Sequence, residues 1–499
     1  MHLCFIPINQ IMKQKMYFAV ISAAIFLAGC SKYDGEYDIS SVYVSGEKST
    51  EQTGDKYSDY ADNPFVNTVK QNISTFSVDA DGASYGNMRR FINEGSMPNA
   101  ASVRIEEFLN YFTFDYAEPT GNDNVAINSE IAVCPWNTEH RLLRLGLKGK
   151  SLAASELPAS NYVFLIDVSG SMDSPDKLEL LKTGMSTMVD YLRPTDRISI
   201  ITYAGTVQRL LESTLASDAA TIKKAIGKLI ASGSTAGGAA LEMAYKEAKD
   251  HYIKGGNNRI ILGTDGDFNV GVTSTTALVE MVENYAKEGI YLTACGFGRG
   301  NLNDSMMEKI ADSGNGNYEY IDNEEQLTKV FVNEISKFVA VANDTKIQIT
   351  FDSTVVKSYR LIGYENRILS SEDFENDKKD AGEIGAGQTI TALYEIIPNK
   401  NYVTGSSCAT FNVRYKKSLD SESIPLSTKI ICSNEAISSG NMSFASSLAA
   451  FGMILRDSKY KGNATLDMVS ELASKGLAFD PFGYRKQYVE LVKAAKSIK

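Results

Sequence analysis

Histidine is scarce in this chain: three in 499 residues, at His2, His140 and His251. They form no Cys/His cluster of the kind that binds zinc, so a zinc centre is not expected. Basic residues are outnumbered, 50 Lys and Arg against 61 Asp and Glu, for a net charge of −11. That balance argues against a nucleic-acid partner, because phosphate binding needs a basic face. It fits an extracytoplasmic surface or a cation-binding one. No Gly-x-x-x-x-Gly-Lys-Ser/Thr loop occurs, so nucleotide hydrolysis is not expected. Gly170-Ser171 and Gly233-Ser234-Thr235 could mimic phosphate-cradling loops, but no lysine accompanies them in sequence. Beyond Cys4 and Cys30 only Cys134, Cys295, Cys408 and Cys432 remain. They permit three full pairings, and the sequence does not choose among them. Cys408 and Cys432 flank a polar loop symmetrically; a cross-strand bridge and buried free thiols both stay open. Trp136 is the only tryptophan and reads as a core or rim packing residue. With 43% hydrophobic and 22% charged residues the chain is globular, and its length exceeds one core.

The N-terminus carries Lys13 and Lys15, an apolar run from Met16 to Leu27, and then Ala28-Gly29-Cys30. A positive segment, a short apolar run and small residues make a signal peptide over 1–29, too short to span a bilayer comfortably. Residues 1–11 read as an upstream extension with Met12 as the start. Leu27-Ala-Gly-Cys30 resembles the bacterial lipobox, which implies cleavage before Cys30, lipidation of its thiol and amine, and a cell-envelope location. That would be the outer membrane, facing the periplasm or the surface. An ordinary secretory signal with an incidental cysteine is the alternative. Asp34, Glu36 and Asp38 resemble the surface-export signals of some Bacteroidetes-type lipoproteins, or are simply a solvated stretch of the flexible tether expected over 30–65.

The informative stretch is Tyr162-Val-Phe-Leu-Ile-Asp167-Val-Ser169-Gly-Ser171. A continuous apolar run reads as a sheet strand covered on both faces, and such sheets bind ligands beyond the C-terminal ends of their strands. A second run, Arg259-Ile-Ile-Leu-Gly-Thr264, ends in Asp265, and Gly233-Ser234-Thr235 opens a helix between them. Helix caps alone would explain Asp167 and Ser169. Asp-x-Ser-x-Ser with a distant Thr and a distant Thr-Asp-Gly resembles the metal-ion-dependent adhesion site of von Willebrand factor A (VWA) domains. The resemblance implies metal ligation by Asp167, Ser169, Ser171, Thr235 and Asp265, direct or through water. Oxygen donors of this kind suit Mg²⁺, with Mn²⁺ or Ca²⁺ as alternatives.

Around that motif, residues 160–340 alternate strand and helix: strands at 161–167, 197–204, 259–265, 290–297 and 317–321, an antiparallel strand at 206–213, and helices at 176–192, 217–231, 236–252, 274–288, 303–313 and 323–340. The fold class is α/β, a VWA (Rossmann-like) doubly wound, mostly parallel sheet with its first strand central. Residues 125–150 and 341–436 show period-two alternation and read as one antiparallel β-sheet or sandwich, with the VWA domain inserted in it or flanked by it. Residues 443–499 read as helices. The region 66–124 reads as helical after a short strand, with Asp79 and Asp81 either binding a cation or, as favoured, shaping a turn. Arg104, Glu106 and Glu107 read as a solvated or internally paired helix face. Its Thr75-Phe-Ser-Val-Asp79-Ala-Asp81-Gly-Ala-Ser84-Tyr85, Arg104-Ile-Glu-Glu and Asn110-Tyr-Phe resemble the N-terminal region of a bacterial family of VWA lipoproteins, whose helical C-terminal region the tail also resembles; Gly82 stands where that family has Thr.

In the VWA family the open metal position takes a carboxylate from a partner. The reading is therefore a lipid-anchored envelope protein that binds a protein or other acidic ligand through the metal, in adhesion or complex assembly, and is not an enzyme. A scaffold with a vestigial metal site is the alternative. A metal-dependent hydrolase is the weaker one, since it would want a general base that neither His140 nor His251 supplies.

Overall fold

The computed structural model describes residues 54–233, 238–266 and 275–498, all within one compact unit. Cys30, the signal segment, the tether before Gly54, and Thr235 lie outside the described residues. In chain order the strands are β1 (Val66–Asn67), β2 (Ile73–Ser77), β3 (Val125–Val133), β4 (Arg141–Gly149), β5 (Ser160–Asp167), β6 (Arg197–Tyr203), β7 (Val207–Leu215), β8 (Asn257–Thr264), β9 (Ile290–Phe297), β10 (Tyr318–Ile321), β11 (Ala340–Phe351), β12 (Val356–Ile362), β13 (Ile368–Leu369), β14 (Ile384–Gly385), β15 (Thr389–Pro398), β16 (Ser407–Lys416) and β17 (Ile424–Ile431).

The α/β sheet runs β10-β9-β8-β5-β6-β7, parallel except for β7. Every residue of β5 is buried, because alternate side chains enter different cores. Tyr162, Phe164 and Ile166 pack with Leu181, Met185 and Met188 of the helix Leu180–Tyr191. Val163 and Leu165 pack with Ala240, Leu241 and Ala244 of the helix Gly238–Asp250. Each such side chain contributes roughly 1.5–3 kcal/mol on burial. Successive connections leave β5 toward β6 on one side and return to β8 on the other, so the chain end of β5 is the switch point where a ligand site forms.

Three expected helices differ. The helix expected at 323–340 is an α turn Glu324–Thr328, a wider π turn Lys329–Asn333 and a tight 3₁₀ turn Ile335–Phe338, with strand from Ala340. Lys329 is buried and pairs with Glu334, five residues on, and the Glu334 N–H donates to the Lys329 carbonyl at 2.9 Å. A regular helix sets residues five apart on different faces, so the turn widens to join them. The helix expected at 176–192 likewise opens with a π turn, Pro175–Glu179. The one expected at 217–231 is α-helical only over Ala219–Ile226.

Two antiparallel sheets, β1-β12-β15-β4-β3 and β13-β2-β11-β16-β17, face one another around Phe76, Leu143, Leu145, Ile347, Ile349, Tyr394 and Phe411. β4 pairs along its length with β15, so the chain leaves the sandwich after β4 and re-enters at β11. β2, the short strand expected ahead of the N-terminal helices, lies between β13 and β11. The helices Ala83–Asn93 and Ile105–Asn110 share a core with Gly440–Leu455, Leu466–Lys475 and Tyr484–Ile498, built on Tyr85, Phe108, Phe112, Phe444, Phe451 and Tyr488. Trp136 is buried and its indole N–H donates to Glu395 at 3.3 Å. Cys134, Cys295, Cys408 and Cys432 are buried free thiols. Asp79 and Asp81 shape a turn, Asp81 N–H donating to Asp79 Oδ1 at 2.9 Å, and both face Arg367 at 3.0 and 3.5 Å.

Arg104 is 2% exposed and pairs with Glu107 on its own turn and with Asp304 and Glu308 of the helix Asp304–Ser313. Removing one partner of a buried ion network strands the others. Arg104→Ala should cost about 3–5 kcal/mol in chemical denaturation, and Arg104→Lys should recover little because one ammonium cannot replace the guanidinium fork. Glu106 is also buried, and its Oε2 has no hydrogen-bond partner. Burial, reinforced by Glu365 and Asp79, pushes its carboxyl up to about 7. The raised folded-state value means that its stabilising contribution is complete below the ordinary carboxylate range and is lost as pH rises through about 7. Unfolding free energy measured against pH should decline across that window, and Glu106→Gln should flatten the decline.

Candidate functional site

The site lies where the chain turns off the ends of β5 and β8. Asp167 closes β5 with no solvent exposure. Its Oδ1 accepts from the Ser169 N–H at 2.8 Å and its Oδ2 from the Thr264 hydroxyl at 3.1 Å. An Asx-type turn of this kind fixes the direction in which the next residues leave the strand. Ser169 and Ser171 then bring their hydroxyl oxygens to 2.9 Å of one another, Ser169 buried and Ser171 exposed. Gly170 N–H donates to the Gly233 carbonyl at 3.0 Å, and Ser232 N–H to the Val168 carbonyl at 2.6 Å. The segment that continues into Thr235 is thus bonded to this loop up to its last described residue.

Asp265, one residue beyond β8, is also fully buried. Its Oδ2 receives the Lys177 ammonium at 2.9 Å, which also donates to the Ser171 carbonyl at 2.9 Å. The polar side chains of Asn301 and Ser171 lie near enough to the same carboxylate to favour its ionised form. The two acids are shifted in opposite directions. Burial, with the charge of Asp265 adding to it, raises Asp167 against the hydrogen bonds from Ser169 and Thr264. Burial also opposes ionisation of Asp265, but Asn301, Lys177 and Ser171 together outweigh it and hold its carboxyl below the ordinary range.

Four of the five expected residues, Asp167, Ser169, Ser171 and Asp265, therefore converge; Thr235 lies outside the described residues. The expectation that no lysine accompanies Gly170-Ser171 is overturned. Lys177 follows six residues later, and the turn Gly170–Met172 with the π turn after it brings the ammonium back over the loop. Gly298 makes room: it has φ +65°, and a Cβ there would lie 2.1 Å from Lys177 Cε. Sequence reasoning also missed Thr264 and Asn301. Thr264 was legible as a hydroxyl beside the second carboxylate. Nothing in the local sequence points from Asn301 to a site built by other strands.

Among the described residues, no group of three or more His, Cys, Asp or Glu side chains is placed to hold a metal. His140 pairs with Glu395 in the sandwich, and His251 lies 3.4 Å from Glu247 at a helix end. A cation at the β5 loop would rest on two serine hydroxyls and two carboxylates, an all-oxygen set suited to a hard ion.

Sequence profiles match three parts of the chain: von Willebrand factor at residues 51–144, the von Willebrand factor type A domain at 161–333, and the C-terminal region of the uncharacterized protein YfbK at 336–498. The uncharacterized protein YfbK of Escherichia coli K12 is 39% identical over 472 residues, covering 89% of this chain and 81% of that one. Human inter-alpha-trypsin inhibitor heavy chain H3 is 29% identical over 31% of this chain and 18% of its own length. Among solved structures, the von Willebrand factor type A protein of Catenulispora acidiphila aligns over 74% of this chain and 89% of its own, with a TM-score of 0.43 and 17% identity. VWA domains generally mediate protein–protein interactions, and relatives of this kind are generally not enzymes. With that identity held across nearly its whole length, the chain belongs to the YfbK family of VWA-domain proteins.

Proposed function

We propose that this protein captures a carboxylate-bearing partner protein through a divalent cation, Mg²⁺ in preference to Mn²⁺ or Ca²⁺, held by Asp167, Ser169, Ser171, Thr235 and Asp265. In this reading Cys30 carries the lipid that fixes it in the cell envelope, on the outer membrane.

The observation that carries the reading is the Lys177–Asp265 ion pair. Two carboxylates and one ammonium give the cluster a net charge of −1 when both acids are ionised, so a bound divalent ion leaves it at +1. An outside carboxylate is then drawn to the open coordination position, where it meets low-dielectric walls that strengthen the attraction. The hydroxyl geometry fits the ion. An Mg–O distance of ~2.0–2.1 Å gives an octahedral edge of roughly 2.8–3.0 Å, against roughly 3.3–3.7 Å for Ca²⁺. Ser169 and Ser171 Oγ are 2.9 Å apart, so two adjacent ligand positions are formed with little movement. The hydrolase reading gains nothing, since neither His140 nor His251 lies at the site. The scaffold reading has one observation in its favour: Lys177 already neutralises Asp265 without a metal.

These readings separate by experiment. Calorimetric titration with Mg²⁺ should show uptake by the wild-type chain. Asp167→Ala should abolish uptake and chelator-sensitive partner capture while leaving the circular dichroism spectrum unchanged. Capture indifferent to Ser169→Ala plus Ser171→Ala would favour the scaffold. A sharper discrimination comes from Lys177→Met. Without its ammonium the cluster carries −2 and, once loaded, is neutral. Metal uptake should tighten while partner capture weakens; parallel loss of both would contradict the charge argument.

A further inference from the structure

The backbone beside Asp265 is held by a piece of chain more than two hundred residues away. Asp55, Lys56 and Tyr57 are among the first described residues, and they lie along the segment 300–304. Asp55 Oδ1 accepts from the Gly300 N–H at 2.7 Å and the Leu302 N–H at 3.2 Å. Lys56 continues the pairing: its N–H donates to the Leu302 carbonyl at 2.7 Å, and its carbonyl accepts from Asp304 N–H at 3.1 Å. Arg90 Nη2 donates to Asp55 Oδ2 at 2.8 Å, and Asn87 Nδ2 to the Tyr57 hydroxyl at 2.7 Å, which anchors the strap to the helix Ala83–Asn93.

The clasped segment is the one that touches the site. Asn301, between the two amides that Asp55 holds, lies near Asp265 and favours its ionised carboxylate. Leu302 and Asn303 press on Gly266: a Cβ at Gly266 would lie 2.4 Å from Asn303 N and 2.7 Å from Leu302 Cα, and its φ of +98° is open only to glycine at low cost. A displacement of 300–303 therefore has to be felt by Asn301, by Gly266 and through both by Asp265.

We infer that Asp55–Tyr57 is a positioning strap for the metal site: seated, it fixes segment 300–303 so that Asn301 and Gly266 hold Asp265 in place for the cation, and cation binding in turn holds the strap down. This rests on the metal reading of the site. Coupling of this kind is reciprocal, because each event stabilises the conformation the other needs. Asp55 touches no cation ligand itself and acts through the 300–303 backbone.

The test uses the full-length chain in detergent with Mg²⁺ and Mn²⁺ alone as probes. Wild-type protein should bind the ion, and Asp55→Ala should bind it at least about tenfold more weakly, the range seen when supports behind metal ligands are removed. Asp55→Asn should recover most of the affinity, because its carbonyl oxygen can still accept from Gly300 and Leu302. A merely structural role would lower the melting temperature of Asp55→Ala without this graded loss. Hydrogen exchange on the unmutated chain gives a variant-free arm: metal should slow exchange of the Lys56, Leu302 and Asp304 amides. Metal uptake by wild type with no change in Asp55→Ala, or with no change in those amides, would overturn the strap alone. No uptake by wild type would remove the metal reading and the strap's role with it.

Discussion

The buried guanidinium of Arg104 is the constraint on which the arrangement depends. It comes from the N-terminal helical region, yet Asp304 and Glu308 of the α/β unit and Glu107 of its own turn all converge on it. A charge that deep is tolerable only when every donor finds an acceptor, so the helical layer and the α/β unit are held in one relative position. Asp304 is also where the segment beside the candidate site ends and a helix begins. Its side chain is fixed by Arg104 and its N–H by the Lys56 carbonyl. The site is therefore framed from outside its own sheet, by two elements that precede the VWA domain in the chain.

This explains why the N-terminal and C-terminal regions belong to one fold with the domain between them. β2 pairs with β11, and the helices of both ends share one aromatic core around Tyr85, Phe112 and Tyr488. A VWA sheet alone would leave β10 as an unprotected edge. Here the helix Ala83–Asn93 packs against it, and Gly86 lets the helix approach so closely that a Cβ there would meet the Tyr320 carbonyl at 2.7 Å.

What could be read from the sequence followed from periodicity and from local spacing. β5 and β8 announce themselves as apolar runs ending in Asp167 and Asp265, and the two serines follow at fixed steps. The alternation at 125–150 and 341–436 pointed to antiparallel sheets. The misreadings share one cause, contacts that periodicity does not encode. The π turn at Lys329–Asn333 exists to bury an ion pair, which helical periodicity does not encode. Lys177 falls in the stretch expected as the helix 176–192, and nothing in that stretch points to its partner Asp265, which follows another strand. Asp55 falls in the stretch 30–65 expected as a flexible tether, yet it is bound to Gly300, Leu302 and Arg90.

The same contrast bears on what kind of site this is. A cation held by several carboxylates is saturated in charge and has little pull on anything outside. Here one of two carboxylates is already neutralised by Lys177 and the other is driven by burial toward its protonated form. The remaining donors are neutral hydroxyls. If such a cluster takes a divalent ion, as proposed, the charge it lacks would have to come from elsewhere: a partner's carboxylate at the open position, with the backbone kept in register by the strap behind it. In that reading partner and strap would have separate roles, the first completing the ion's coordination and the second holding Asp265 where it can take part. On the proposed reading, affinity for a partner depends on how Asp55–Tyr57 are seated along segment 300–304.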